Sequence, residues 1–315
     1  MELIFSKVFI VTLLAAGIRM AMPILLAATG EIYAERSGML NINLEGQMLM
    51  GAFVSFVVGY YTGSMPLALI SGMLAGILTA LLMAVACITW NAQHVVAGIT
   101  LNMFALGVTS FWYRVIYGVT TNPPKVDIVG SGTQPLPLLS QIPIVGDILF
   151  NQNYLFYASI IIVAISFFLI FRTQFGLKLR AAGEYPRAAE TMGVNVKHMR
   201  YYSMIFCGAL AGLGGTFLSL ISLSRFVDNI TASRGFIALA IVIFGKWNPW
   251  LVFAASLLFG TTDALQLRLQ AVGVDVSYHF MLMLPYVLTI LVMVLTAKRS
   301  QSPAALGQNY EREAL

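Results

Sequence analysis

Long apolar segments follow one another along almost the whole chain, and this pattern constrains the fold more than any other feature. Of the 315 residues, 59% are hydrophobic and only 10% are charged, whereas soluble domains carry about 25% charged residues. Inside a bilayer the backbone must satisfy its own hydrogen bonds, and a helix does this within one segment. The sequence therefore predicts an all-α integral membrane protein.

Ten apolar segments are candidates for membrane spans, because a crossing helix needs about 20 predominantly apolar residues. They lie near residues 5–18, 21–34, 44–61, 65–89, 95–118, 153–172, 201–222, 235–246, 249–268 and 280–297. The second and eighth are short, which indicates broken, tilted or re-entrant spans. We expect a polytopic bundle of about ten transmembrane helices in one domain, residues 1–299, followed by a polar tail, residues 300–315, that frays.

The segment from Arg172 to Arg200 is the charge-dense stretch of the chain, with six of its 18 lysine and arginine residues. Basic residues concentrate in cytoplasmic loops, so this loop is predicted to be cytoplasmic. Ten spans would then place both termini in the cytoplasm, with twice as many basic residues inside as outside. The proline-rich segment 119–152 becomes an ordered outer loop. This bias accounts for the net charge of +5 without nucleic-acid binding.

The cytoplasmic loop is predicted to contain a short helix of its own. Pro186 suits the first helical position, and Gly193 suits the residue that ends the helix. Ala188, Ala189, Met192 and Gly193 would form one small-residue face that fits a cleft on a partner protein. The alternative is a solvated connector whose basic residues only fix the topology.

Three motifs together resemble those of bacterial ABC importer permeases. They are Gly176-x3-Arg180-Ala-x-Gly183-x4-Ala188-Ala189-x3-Gly193, the stretch GEIYAERSGMLNINLEGQMLMGAF at 30–53, and RGFIALAIVIFGKWNP at 234–249. The first is similar to the coupling loop of the branch that carries sugars, branched-chain amino acids and nucleosides. The second is most similar to nucleoside permeases.

The resemblance implies a transport subunit of the bacterial inner (plasma) membrane that moves nucleosides inward by alternating access and is not itself an enzyme. Its partners would be membrane lipid, a cytoplasmic ATP-binding subunit docked on loop 173–199 and an extracytoplasmic substrate-binding lipoprotein. It would also pair with a second permease chain, which we expect to form a heterodimer; the alternative is a copy of this chain. The absence of a Gly-x4-Gly-Lys-Ser/Thr phosphate loop agrees with ATP hydrolysis on a separate subunit. The coupling residues implied are Gly183, which would set the entry turn, Pro186, Ala188, Ala189 and Gly193.

Polar residues beside or within apolar spans are costly and often functional. Asn41 and Glu45 would share a helical face, and Asn102 follows His94 at helical spacing with Gly98 between them. The candidates for a substrate pathway are Asn41, Asn43, Glu45, Gln93, His94, Asn102, Phe53 and Trp112. The alternative is that these residues cap helices, bond between helices or anchor the membrane interface.

Other features exclude some functions and leave rivals open. The three histidines are far apart and form no metal set, and no cofactor motif is present. The spacings Gly72-x3-Gly76 and Gly208-x3-Gly212 predict close helix packing. One alternative function is an ABC importer of sugars or a related small polar solute. Another is an ion-gradient-driven secondary transporter that uses Asp263 or Glu45 as its coupling site.

Overall fold

The computed structural model describes residues 7–118, 146–272 and 302–311, together with 123–126, 128, 132, 134–135 and five positions between 283 and 294. Ten α-helices lie in this part of the chain. They are α1 (Lys7–Arg36), α2 (Leu44–Thr62), α3 (Met65–Ala84), α4 (His94–Tyr117), α5 (Tyr154–Arg172), α6 (Gln174–Glu184), α7 (Pro186–Thr191), α8 (Val196–Thr216), α9 (Arg234–Phe244) and α10 (Pro249–Val272). Between α4 and α5, β1 (Gln134–Pro135) pairs antiparallel with β2 (Asn151–Gln152).

Six of the described helices are long and apolar enough to cross a membrane: α1, α3, α4, α5, α8 and α10. The prediction of an all-α membrane bundle is confirmed, but the count of about ten spans is not. α2 is 19 residues long and begins with a polar first turn. The last predicted span, 280–297, lies largely outside the described residues.

The first two predicted spans, 5–18 and 21–34, are one continuous helix, so this part of the prediction is wrong. α1 runs through Pro23 for 30 residues, which corresponds to about 45 Å. Near Gly17, where the prediction separated the first two spans, α1 packs tightly against α10. A Cβ on Gly17 would lie 2.5 Å from the Thr261 Cγ2. Lys7 and Arg36 therefore lie at opposite ends of the bundle.

The centre of the bundle is a close crossing of α8 with α2 and α3. A Cβ on Gly76 would overlap the Gly208 carbonyl oxygen, and a Cβ on Gly212 would overlap the Gly72 carbonyl oxygen. Gly51 of α2 approaches Gly212 from the other side. Small residues let the backbones approach closely, so the predicted role of these glycines in helix packing is confirmed.

α9 is a short apolar helix of 11 residues, or about 16 Å, which is half the thickness of a bilayer core. It starts near Glu45 at the beginning of α2 and ends near Arg36 at the end of α1. The chain before it contacts the segment between α4 and α5, where the Val126 N–H donates to the Ser224 carbonyl at 2.9 Å. This geometry fits the predicted broken or re-entrant eighth span.

Residues 302–311 form an ordered segment, here called the C-terminal strap, at the same end of the bundle as α6 and α7. The Ala305 N–H donates to the Gly183 carbonyl, and the Gly307 N–H donates to the Gly38 carbonyl, both at 2.9 Å. The prediction of a frayed tail is wrong for these residues. The strap also lies at the opposite end of α1 from Lys7, so the prediction of both termini on one side does not fit the single helix α1.

Candidate functional site

Asn41 ties the turn between α1 and α2, residues 37–43, to three helices. Its backbone N–H and side-chain amide donate to the Glu31 carboxylate at 3.3 and 3.1 Å, and its amide exchanges hydrogen bonds with Gln47. The Cys207 thiol of α8 donates to the same carboxylate at 3.2 Å. All four side chains are buried without exposed area. Breaking any of these bonds would leave a buried polar group unpaired, so the network fixes the turn.

Glu45, in the first turn of α2, holds the start of α9. Its Oε1 accepts hydrogen bonds from the Thr231 hydroxyl at 2.5 Å and the Ser233 N–H at 2.8 Å, and its Oε2 accepts from the Gly235 N–H at 2.6 Å. The first N–H groups of a helix have no intrahelical acceptor, and the helix dipole favours a negative charge there. Glu45 therefore positions α9, which supports the alternative that it stabilises a broken helix, whereas α2 itself has no side-chain cap.

The predicted stripe on α4 faces the 37–43 turn. His94 Nδ1 accepts from the Leu40 N–H at 3.1 Å. Asn102 accepts from the Gly46 N–H at 2.7 Å and donates to the Ile42 carbonyl at 2.8 Å. The two side chains therefore support both the turn and the start of α2.

Gly98, between them on the same stripe, leaves room for the turn, since its Cβ would lie 2.7 Å from the Ile42 Cβ. Toward α3, the Asn43 side-chain amide donates to the Thr79 carbonyl at 3.2 Å, and its Oδ1 has no partner. Asn41, Asn43, Glu45, His94 and Asn102 thus converge on one buried region. Their role in lining a pathway stays a prediction.

Three other candidates lie elsewhere. Gln93 and Trp112 are exposed on the outer surface of the bundle, Trp112 at 50%. Phe53 is buried in the middle of α2, with its ring 5.3 Å from that of Phe226. The structure therefore does not bring these three residues together with the polar region around the 37–43 turn.

The short helix in the charged loop has the predicted ends but a different exposed face. α7 begins at Pro186, and Gly193 follows it with φ +83° in open space. Ala189 is buried against Ala182 and Val196, so it supports the fold and is not available to a partner. Tyr185, Ala188 and Met192 are exposed and are here called the α7 face; Arg187 and Thr191 are exposed beside them.

Gly183 is inside α6 and does not form the entry turn of α7, contrary to expectation. A Cβ on it would overlap the Arg36 carbonyl oxygen, so the glycine lets α6 pack directly on the end of α1. The turn itself is made at Tyr185, with φ −138° and ψ 76°. The loop helices and α1 are thereby in backbone contact.

A third buried acid, Glu35, links α1 to the end of α9 and was not singled out from the sequence. It accepts a short hydrogen bond from the Trp247 indole N–H, and Arg36 donates to the Lys246 and Trp247 carbonyls at 3.5 Å. The available signal was a pair of acids, Glu31 and Glu35, four residues apart in an apolar helix. No cluster of three metal-ligating acid, histidine or cysteine side chains occurs among the described residues.

Comparison with known proteins places this architecture in a family. Residues 13–296 match the family described as "Branched-chain amino acid transport system / permease component". The chain is 40% identical to the guanosine ABC transporter permease protein NupQ of Bacillus subtilis over 302 residues, 92% of this chain and 93% of NupQ.

Two further relatives match over a similar extent. The nucleoside ABC transporter permease protein NupC of Lactococcus lactis is 37% identical over 91% of this chain and 93% of its own. The putative glucose ABC transporter permease protein TsgC13 of Haloferax volcanii is 34% identical over 97% and 99%. No solved structure matches the chain. The resemblance seen in the sequence motifs is confirmed, and the chain belongs to the family of branched-chain amino acid transport system permease components.

Proposed function

We propose that the chain is the membrane-spanning permease subunit of an ATP-driven importer of nucleosides. The observation that carries the proposal is its 40% and 37% identity to proteins named as guanosine and nucleoside permeases, each over more than nine-tenths of this chain. No covalent step takes place on this chain.

The charged loop supports a mechanical input from a separate ATP-binding subunit. The α7 face is apolar and exposed, with Tyr185 at 72% and Met192 at 84%. An exposed apolar face of this kind suits a cleft on a partner. Because Gly183 packs on the Arg36 carbonyl, a displacement of α6 and α7 moves the end of α1. Arg36 in turn contacts the end of α9.

We infer that these contacts carry alternating access. α9 is held at its start by Glu45 and at its end by the contacts of Glu35 and Arg36. Movement of α1 relative to α2 therefore tilts α9 and opens or closes the region of the 37–43 turn. ATP binding would drive this movement from the cytoplasmic side.

We infer that α6, α7 and the C-terminal strap face the cytoplasm, as the basic residues of 172–200 indicate. α1 then starts on the outer side, because it is a single helix that ends beside α6. The extracytoplasmic substrate-binding lipoprotein would dock at the outer ends of the helices, near the 119–152 loop.

A second permease chain completes the pathway. α4 carries a broad exposed apolar side, and only 17% of its most apolar stretch is buried. Such a surface faces either lipid or another transmembrane subunit. We expect a heterodimer in which the second permease covers part of this side.

Import of sugars is the second candidate, supported by the 34% identity to the putative glucose permease protein. An ion-gradient-driven transporter has less support. The Asp263 carboxylate lies 3.6 Å from the Arg234 guanidinium, and the Glu45 carboxylate accepts three hydrogen bonds. Both acids therefore already have partners within the protein, which does not favour either as an ion-coupling site.

Reconstitution tests the proposal. The chain is purified together with its ATP-binding, second permease and substrate-binding partner proteins and placed in proteoliposomes. We expect uptake of labelled guanosine that requires ATP, that excess unlabelled nucleoside blocks, and that glucose leaves unchanged. Uptake that glucose blocks would favour the sugar importer. Uptake that persists without ATP and collapses with the proton gradient would overturn the ABC mechanism.

A further inference from the structure

An apolar groove of about 350 Å³, here called the α5–α8 groove, lies between α5 and α8. Residues between 162 and 169 line it on the α5 side, residues between 205 and 213 line it on the α8 side, and α1 and α3 contribute one residue each. Ile165 is 51% exposed and Phe206 is 41% exposed. The groove is therefore open at the surface of the bundle, at the depth of the membrane.

The dimensions of the groove suit one lipid chain. Its lining on α5 begins at Ile162, and α5 ends at Arg172. These ten residues rise about 15 Å, which is half of the roughly 30 Å hydrocarbon core. The volume of about 350 Å³ over a length of about 12 Å corresponds to a width of roughly 6 Å, whereas a helix is about 10–12 Å across. An acyl chain of one leaflet fits this space, and a transmembrane helix of a partner does not.

Polar side chains continue the lining of both helices at the end of the groove that lies beside α6. Arg172 follows Ile165 by seven positions, or two helical turns, and Tyr202 precedes Phe206 by four positions, or one turn. Arg172 and Tyr202 are both exposed, Tyr202 at 51%. A guanidinium and a hydroxyl therefore lie where the headgroup of a lipid in the groove would be.

α6 adds a second basic residue at the same place. The Phe175 ring of α6 contacts the Phe206 ring, with 6.0 Å between their centroids. Lys178 is exposed one helical turn after Phe175, on the same flank of α6. Arg172 and Lys178 form no ion pair with any residue that the structure describes. Both cations are thus available to an anion outside the protein.

No acid of the surrounding helices offsets these two charges. The sequence contains no aspartate or glutamate in 154–183 or in 191–227. The two acids between these ranges, Glu184 and Glu190, accept hydrogen bonds from the C-terminal strap. Basic pockets between transmembrane helices on the cytoplasmic side bind anionic lipid headgroups. The end of the groove has this composition.

We propose that the α5–α8 groove binds an anionic phospholipid of the cytoplasmic leaflet. One acyl chain lies in the groove, and Arg172, Lys178 and the Tyr202 hydroxyl donate to the phosphate. The ammonium group of a zwitterionic headgroup would meet the same two cations, so an anionic headgroup is favoured. The assignment to the cytoplasmic leaflet rests on the orientation proposed above, whereas the site itself does not depend on the cargo.

Photo-crosslinking of the assembled transporter tests this site. The complex with its ATP-binding and second permease subunits is placed in nanodiscs of phosphatidylcholine that contain a trace of phosphatidylglycerol with a diazirine in its acyl chain. After irradiation and digestion, we expect cross-linked peptides that contain 162–169 or 205–213. Excess phosphatidylglycerol should compete, and excess phosphatidylethanolamine should not. Nanodiscs present the lipid on both faces, so this result does not depend on the orientation of the chain.

Two changes test the charge and the space separately. The double variant Arg172→Gln, Lys178→Gln should lower cross-linking in the groove about 30-fold, since each basic residue near a membrane surface contributes about fivefold to the attraction of anionic lipid. Ala209→Trp fills the groove, which Ala209 lines, and should block cross-linking there while both cations remain.

The control is Lys197→Gln. Lys197 is also exposed, but it precedes Phe206 by nine positions, or two and a half turns, and so lies on the opposite side of α8. This variant should cross-link like the unaltered chain.

Three results would overturn the site. Cross-links spread evenly over the exposed sides of α3, α4 and α5 would show ordinary surrounding lipid. Equal losses in Lys197→Gln and in the double variant would show diffuse attraction to a basic surface. Cross-links absent from α5 and α8 in the assembled transporter would show that another subunit covers the groove. Uptake of guanosine by the unaltered complex is measured separately, so failure of the proposed function has its own signature.

Discussion

Single buried polar residues connect segments that are far apart in this chain. Glu45 accepts hydrogen bonds from Thr231, Ser233 and Gly235, which lie about 190 positions away in the sequence. In a bundle whose surfaces are mostly apolar, dispersion contacts alone allow a helix to pack in several positions. A carboxylate that accepts three hydrogen bonds selects a single position of α9, because every other position leaves the carboxylate or an N–H group unsatisfied.

At this scale, Glu45→Ala should lower the free energy of unfolding by about 3 kcal/mol, because the Ser233 and Gly235 N–H groups lose their acceptor in a buried site. Titration with SDS in mixed micelles measures the change. Glu45→Gln keeps one acceptor oxygen and should cost less. The matched control is Asp228→Asn, an exposed acid paired with Arg114 at 3.3 Å. Exposed pairs contribute little, so equal losses in Glu45→Ala and Asp228→Asn would contradict the assignment.

Helices in the centre of the bundle are positioned by glycine contacts. Where α8 crosses α2 and α3, backbone atoms meet with no side chain between them. Such contacts tolerate no added methyl group unless the helices separate. The same substitution is harmless where a glycine faces open space.

Gly212→Ala should therefore destabilise the protein by about 1–3 kcal/mol through overpacking. The matched control is Gly107→Ala on α4, where an added Cβ meets nothing within 4 Å. Since alanine favours a helix over glycine by about 1 kcal/mol, this control should be neutral or slightly stabilising. Thermal melting in one detergent compares the two. A drop of equal size in both would contradict the assignment of the loss to close packing at the crossing.

α7 separates into a buried side and an exposed side, which divides its alanines into two classes. Ala188→Trp enlarges the exposed α7 face and should lower nucleoside uptake at least about tenfold while leaving the folded permease intact. ATP hydrolysis by the assembled complex should continue, uncoupled from transport. Uptake and ATPase rates measured on the same proteoliposomes check this.

Ala189→Trp is the companion variant, because Ala189 is buried against Ala182 and Val196. It should lower thermal stability and membrane levels instead of uncoupling the complex. Gly193→Asn should keep most uptake, since asparagine tolerates the positive φ of this position, whereas Gly193→Trp should lose it. Normal uptake by Ala188→Trp or Gly193→Trp at normal membrane levels would refute docking at the α7 face.

Across the whole molecule, the C-terminal strap joins parts that would otherwise meet only through their helix ends. It receives a hydrogen bond from Arg200 of α8 at the Gln308 carbonyl, 2.9 Å away. It donates to Gly183 of α6 and to Gly38 beside α1. The strap thus fastens the loop helices to the turn that carries the candidate pathway.

A chain that ends at residue 301 should lose at least about 2 kcal/mol of unfolding free energy, because Arg200, which is only 1% exposed, loses an acceptor in a buried site. A chain that ends at Glu311 keeps every strap contact described above and should behave like the full chain. Thermal melting of the two truncated chains and the full chain measures the difference in stability. If the shorter chain melts with the full one, the strap has no structural role.

The orientation of the molecule can be read by cysteine labelling, because the native Cys87 and Cys207 are both buried. Thr62→Cys, at the end of α2 far from α6, should react with a membrane-impermeant maleimide in intact cells. Thr191→Cys, in the exposed part of α7, should react only after the membrane is permeabilised. The reverse pattern would invert the proposed topology.

Much of the fold was accessible from the sequence, because its signals are local. Pro186 and Gly193 delimit α7 as predicted, since each acts through its own backbone geometry. The small-residue spacings in α3 and α8 predicted close packing correctly. The polar residues of the 37–43 region were also identified, but their partners were not, because those partners lie on other helices.

By itself, the sequence determined that this is a helical membrane protein, which family it belongs to and where its charged loop contains a helix. Only the tertiary structure decided that α1 is one helix, that Ala189 faces inward while Ala188 faces outward, and that Glu45 holds α9. The physical reason is that an apolar side chain suits lipid and protein equally well. Hydropathy therefore cannot tell which face packs, and that choice depends on contacts between distant segments.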